Sequence, residues 1–122
     1  MNDLKLGIIE SRFADIIWEH APMTTRALVD ICEKELNWKR TTTYTVLKKL
    51  CDRGFFSVAD RTVTVCLTKD EYCAMQCQQF VDETFSGSLP AFVAAFTAQK
   101  KLSSRELEEL KALVDNLSEE KK

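Results

Sequence analysis

Along this chain the spacing of apolar residues follows a helical period of about 3.6, drops to about 2 over one short stretch, and then returns to about 3.6. An order of three helices, one hairpin and three more helices suits few architectures, so this switch of period limits the fold more than any other feature. The first helical stretch is 4–19, where Leu4, Ile8, Ile9, Phe13, Ile16 and Ile17 recur at helical spacing. His20-Ala21-Pro22 ends it, because proline disfavours helix in the residue before it. Thr24 can cap a second helix reaching about Glu35, with Leu28, Ile31 and Cys32 on one face and Asn37 as a terminating residue. A third helix runs from near Arg40 to Gly54 and turns Thr43, Val46, Leu47 and Leu50 inward.

The period of two begins after Gly54. Phe56 and Val58, then Val63, Val65 and Leu67, alternate with polar or small residues on either side of Asp60-Arg61-Thr62, the pattern of a short β-hairpin. Thr68-Lys-Asp-Glu71 has capping-box spacing and opens a long helix to about Phe85. Gly87 breaks it, and Pro90 suits the first turn of the next helix, 89–98. Ser103-Ser-Arg-Glu106 is a second capping box; the helix it opens carries Leu107, Leu110, Val114 and Leu117 on one face, and the tail Glu119–Lys122 is expected to fray. The expected fold is mainly α with a small β-hairpin: a winged helix-turn-helix over 1–68 followed by a C-terminal helical dimerisation region over 69–122.

Of the 122 residues, 45% are hydrophobic and 30% charged, enough to form a core and to exclude wholesale disorder. No apolar run approaches the roughly 20 residues that cross a bilayer, and the N-terminus lacks the pattern of a secretion signal. The expected location is the cytoplasm, with no membrane association. A net charge of −2 does not by itself point to nucleic acid, but the distribution does. Residues 1–68 hold ten Lys/Arg against nine Asp/Glu, residues 69–122 seven against ten. Within 39–53, Lys39, Arg40, Lys48, Lys49 and Arg53 face a single acid, Asp52.

In a winged helix-turn-helix the third helix enters the major groove, so its outer face decides whether DNA is a plausible ligand. Advancing about 100° per residue from Thr43, Val46, Leu47 and Leu50 fall within roughly 60° of it on the buried side. Thr41, Thr45, Lys48 and Asp52 cluster opposite; Tyr44 flanks them on one edge, Thr42 and Lys49 on the other. Threonine hydroxyls can exchange hydrogen bonds with base edges and their methyls can touch thymine methyls, while lysines neutralise phosphates. Lys39 and Arg40 sit at the helix N-terminus, positioned for the DNA backbone, and Arg61 at the hairpin tip is a candidate for phosphate or minor groove. A solvated helix face is the bland reading of such charges, yet three consecutive threonines are poor helix formers and their use on an exposed helix calls for another reason.

Residues 69–117 are too few to build a self-sufficient core. They carry Phe80, Phe85, Leu89, Phe92, Val93, Phe96, Leu107, Leu110, Val114 and Leu117, which are expected to be covered by a second copy in a symmetric dimer. The five cysteines are odd in number and expected mostly in the core. Cys73 and Cys77 are spaced like two metal ligands on a helix, but His20 is the only histidine, so neither metal nor other cofactor is expected. Catalytic motifs such as a phosphate-binding glycine loop, a nucleophile elbow or a zinc-binding helix are missing, and Trp18 and Trp38 read as structural.

The segment Trp38-Lys-Arg-Thr-Thr-Thr-Tyr-Thr-Val-Leu-Lys-Lys-Leu-Cys-Asp-Arg-Gly-Phe resembles the penicillinase-repressor family, which includes methicillin-resistance and copper-responsive repressors. Trp18-Glu-His-Ala-Pro-Met-Thr, Phe80-Val-Asp-Glu-Thr-Phe-Ser-Gly-Ser-Leu-Pro-Ala-Phe-Val-Ala-Ala-Phe and Lys101-Leu-Ser-Ser-Arg-Glu-Leu-Glu-Glu-Leu extend the likeness over nearly the whole chain. The resemblance implies a homodimeric repressor, not an enzyme, bound to a palindromic double-stranded operator that controls β-lactam resistance or stress genes. Some members are released when a membrane-bound antibiotic sensor triggers cleavage of an Asn-Phe bond; the matching step here is Ala95-Phe96, without the asparagine. The paired Cys-x-Cys of the copper branch is absent from the tail, and the wing lacks a glycine at its tip. Two other readings are a winged helix that binds a protein partner, and a thiol or metal sensor built on Cys73 and Cys77.

Overall fold

The computed structural model describes the backbone of residues 5–120 and the side chains of residues 5–118. Element order is α1 (Ile8–His20), β1 (Met23–Thr24), α2 (Thr25–Leu36), α3 (Arg40–Asp52), β2 (Phe56–Ala59), β3 (Thr62–Val65), α4 (Lys69–Thr84), α5 (Leu89–Gln99) and α6 (Ser104–Glu120). The chain divides into two compact units, Met1–Gln79 and Phe80–Lys122, and α4 runs through the division.

The helix ends follow local chemistry. Thr24 Oγ1 accepts from Ala27 N at 3.1 Å and starts α2, and Asn37 ends it in the left-handed region at φ 55°. Gly54, at φ +90°, lets the chain leave α3 and turn into the sheet. Both expected capping boxes form: Thr68 with Glu71 at 2.9 and 3.1 Å, and Ser103 with Glu106 at 3.1 Å in each direction. The tail expected to fray is helical through Glu120, and its last two residues lie outside the described residues.

In the first unit, α1, α2 and α3 pack with the sheet around Phe13, Ile17, Leu28, Leu47, Leu50, Phe55, Phe56 and Val63. Burying each large apolar side chain contributes about 1.5–3 kcal/mol. Trp38 stacks on Phe13 at 5.4 Å. Trp18 Nε1 donates to the Leu67 carbonyl at 2.9 Å while its ring meets Phe55, Phe56 and Tyr72, so both tryptophans hold the unit together. Tyr72 brings the start of α4 into this unit, and its hydroxyl accepts from Leu6 N at 2.9 Å.

Four expectations are corrected. The first helix begins at Ile8 rather than residue 4, because Gly7 is its cap; Leu4 lies outside the described residues. Ile8 and Ile9, expected on its inner face, are 84% and 50% exposed: Ile8 points about 140° away from Phe13, and Ile9 occupies the first turn at the end of the helix. The hairpin is part of a three-stranded antiparallel sheet of order β1-β3-β2, with Met23 opposite Val63 and Thr24 opposite Thr62. The cysteines are mostly not core residues: Cys32 is buried and Cys51 half-buried, but Cys66, Cys73 and Cys77 are exposed. Burial pushes the Cys32 thiol up to about 11, which leaves it inert.

In the second unit Ser88 Oγ caps α5 by accepting from Ala91 N at 3.1 Å, with Pro90 in the first turn. Phe80, Phe85 and Phe92 meet edge to face, with ring centroids 5.7–6.1 Å apart, and Phe96 adjoins Phe92 at 6.0 Å. Phe85, Phe92, Val93 and Leu110 are half-buried. Leu89, Phe96, Leu107, Val114 and Leu117 remain 43–60% exposed, as does Phe80 at 50%.

Candidate nucleic-acid interface

The candidate interface is built on α3. Thr43, Leu47 and Leu50 are buried and Val46 half-buried, which fixes the rotation of the helix and turns Thr41, Thr42, Tyr44, Thr45 and Lys48 outward. Thr43 has its hydroxyl aimed at the Lys39 carbonyl at 3.4 Å and also meets the Cys32 thiol on α2, so the one inward threonine is held within the core. Thr45 Oγ1 donates to the Thr41 carbonyl at 2.8 Å. That bond uses the hydroxyl hydrogen and leaves Thr45 able to accept from a base amino group or to present its methyl.

The start of α3 is electrostatically unusual. Lys39 is the N-cap with no side-chain cap bond, Arg40 follows, and the first turn holds no acid. Cations at the positive end of a helix dipole are unfavourable unless an anion joins them, and the open backbone N–H groups there suit a phosphate oxygen.

Arg40 lies over the Tyr44 ring, its Cζ 5.8 Å from the centroid. Hydrogen bonding from Thr25, then from Arg40, together with the nearby charges of Arg40 and Arg61, holds the Tyr44 phenol below its ordinary value against a smaller desolvation effect. Tyr44 thus ties α3 to the start of α2. Between α2, α3 and the wing opens a groove of about 860 Å³ lined by Thr25, Arg26, Val29, Asp30, Glu33, Arg40, Tyr44, Val58 and Arg61. Three guanidinium groups from three elements therefore converge on one opening. Arg26 lines this groove although sequence spacing did not point to it, because only tertiary packing brings the first turn of α2 beside the wing. Val58, expected inside with Phe56, is 42% exposed here, since β2 runs past the core into the groove wall.

The wing tip carries local strain. Asp60 and Arg61 occupy the left-handed region at φ 52° and 60°, linking the paired residues Ala59 and Thr62 in two residues. A turn of this kind favours Asn-Gly, and an ordinary side chain there costs roughly 1 kcal/mol. Arg61→Gly is therefore expected to raise stability by about 0.5–1 kcal/mol while weakening DNA binding severalfold. Thermal melting and DNA titration of one preparation check both signs; unchanged DNA affinity would remove Arg61 from the interface.

The other site residues divide. Lys48 reaches Asp52 at 3.2 Å across an exposed turn, with both side chains largely in water. Such a surface pair is worth well under 1 kcal/mol and yields readily to a phosphate. Lys49 sits apart from the groove: its ammonium is 3.0 Å from Glu10 on α1. Among the described residues no three His, Cys, Asp or Glu side chains gather as a metal-binding group. No described helix is long and apolar enough to cross a membrane. The Ala95-Phe96 bond lies within α5.

A sequence profile of the penicillinase repressor family matches residues 6–116. The penicillinase repressor of Bacillus licheniformis is 22% identical over 111 residues, covering 88% of this chain and 87% of that protein. Among solved structures, Staphylococcus aureus MarR in complex with salicylate and kanamycin aligns with a TM-score of 0.46 and 14% identity over 93% of this chain and 72% of that one. A MarR/EmrR family transcriptional regulator from Acinetobacter sp. ADP1 aligns with a TM-score of 0.42 and 17% identity over 98% and 78% of the two chains.

Proposed function

This chain belongs to the penicillinase repressor family, and on that premise we propose that it acts as a homodimer, each protomer laying α3 in the major groove of one half of a palindromic operator. The protein is a transcriptional repressor of the winged-helix type. The observation that carries the operator reading is the make-up of one surface. Thr41, Thr42, Thr45 and Lys48 project from a helix whose other side is locked into the core, and Arg40 on the same helix lines a groove together with Arg26 and Arg61. The threonines supply base-edge contacts, and the cations supply phosphate contacts that fix register.

Dimerisation is supported by the second unit, where Val81 is the only buried residue among the described ones and large apolar side chains stay exposed. Patches of that kind mark interfaces, and two-fold symmetry lets one stripe cover its copy.

The test is a fluorescence-anisotropy titration with DNA from upstream of the gene and with random duplex, at several salt concentrations. Operator binding is expected to be tighter by a factor of about 10³ or more. Lys48→Ala should weaken binding to every sequence and flatten the log–log salt slope by about 0.9, the effect of one phosphate contact. Thr41→Ala and Thr45→Ala should instead change the ranking of operator variants, by about 1–3 kcal/mol at the affected base pair. Equal affinity for operator and random DNA would contradict the proposal.

A further inference from the structure

Glu10 sits on α1, outside the recognition face, yet it controls two of the cations at the end of α3. Lys49 Nζ lies 3.0 Å from Glu10 Oε2, and Arg53 Nη1 lies 3.5 Å from Glu10 Oε1. Glu10 is itself fixed, because Oε1 accepts from Gly7 N at 3.0 Å. Arg53 is held a second and third way: Nη2 donates to the Lys5 carbonyl at 2.9 Å, and the guanidinium stands 5.5 Å over the Phe55 ring. The side chains of Glu10 and Arg53 are only 21% exposed, whereas that of Lys49 is 62% exposed. The carboxylate and Arg53 are therefore built into the packing, and Lys49 is a long solvated arm tethered to them. Lys49 also lies two turns beyond Thr42 on the same edge of the face that carries Thr41, Thr45 and Lys48, about 70° from its centre. A released ammonium there would be within reach of a phosphate along the groove edge.

We infer that Glu10 is an internal counter-ion that withholds Lys49 from the DNA backbone, and so sets how tightly the repressor binds DNA of any sequence. The inference rests on α3 being the DNA-reading helix and adds a residue that touches no DNA. A phosphate contact strengthens binding to all sequences alike, because it carries no base information. Holding Lys49 back leaves the threonine contacts untouched and lowers the sequence-independent share of affinity. The carboxylate is ionised at neutral pH as any ordinary glutamate is, and the Gly7 N–H, then Lys49 and Arg53, hold its pKa lower still against an opposing desolvation.

The test uses four full-length proteins titrated with random duplex DNA between 50 and 200 mM salt: wild type, Glu10→Gln, Lys49→Gln and the double variant. Glu10→Gln is expected to steepen the log–log salt slope by about 0.9, so that affinity falls an extra 3.5-fold or so over this fourfold rise in salt. Lys49→Gln alone should leave the slope unchanged, since Glu10 keeps Arg53. The double variant should return the slope to the wild-type value. Thermal melting of each protein identifies any that fail to fold, and Lys49→Gln still reads the inference if Glu10→Gln is one of them. A slope that Glu10→Gln does not steepen, a gain that survives in the double variant, or a slope that Lys49→Gln flattens would each overturn the assignment. Discrimination between operator and random duplex by the wild-type protein in the same titration tests the repressor reading separately, so failure of one is distinguishable from failure of the other.

Discussion

Replacing Val114 and Leu117 together with aspartate is expected to leave a folded monomer that binds operator DNA about a hundredfold or more weakly. Both residues lie on α6 and are 53% and 51% exposed in the single chain, on the same helix as the exposed Leu107 and Leu113. Covering each aliphatic side chain in a dimer contributes about 1.5–3 kcal/mol per protomer, and a carboxylate in its place carries a desolvation cost without a partner. The core of the first unit is untouched, so its helices and sheet should persist. The loss at the operator follows from valency. Two linked recognition helices gain about 10² to 10⁴ over one, because the second binds as an intramolecular event. Sedimentation velocity and operator titration on the same sample measure the two effects. A variant that stays dimeric would move the interface away from α6, and a monomer with undiminished operator affinity would remove the need for a dimer.

Phe55→Ala is expected to cost about 3–5 kcal/mol of stability, a large share of the roughly 5–15 kcal/mol that holds a domain of this kind together. Phe55 is fully buried, and its ring lies 5.5 Å from Tyr72, 6.1 Å from Phe56 and 6.4 Å from Trp18. Its backbone matters as much. The Phe55 N–H donates to the Leu50 carbonyl at the end of α3, and its carbonyl accepts from Cys66 and Leu67 N, each at 3.0 Å. The residue therefore joins the end of α3 to the base of the wing and to the aromatic cluster around α4. A cavity here should loosen all three. Urea unfolding should show the midpoint falling with an unchanged slope; a change under 1 kcal/mol would mean that the surrounding rings close over the gap.

Phe55 also shows where sequence reasoning stops. The period of two began at Phe56 and gave no place to its neighbour. Phe55 precedes β2, in the turn after Gly54, so strand alternation does not govern it. Signals that act over three or four residues were legible: the Thr68 and Ser103 capping boxes, the Asn37 and Gly54 helix ends, and the side of α3 that packs inward. β1 was not, because two residues show no alternation and Met23 becomes a strand only through Val63 on β3. The outward side of α3 could be read from that helix alone, since one buried stripe fixes the opposite one. Arg26 and the pairing of Lys49 with Glu10 could not, because each depends on two helices meeting. The exposure of Cys73 and Cys77 was hidden for a similar reason: cysteine is apolar enough for a core, and only the rotation of α4, set by Tyr72, decides which side it takes.

Methylation protection of the operator reads the central claim directly, because guanine N7 lies in the major groove and adenine N3 in the minor groove. Bound protein should protect guanine N7 in two patches about 10 base pairs apart on one face of the duplex, and Thr41→Ala or Thr45→Ala should reopen positions within both patches. Protection confined to adenine N3, or a guanine pattern indifferent to every residue on the outer face of α3, would contradict the account.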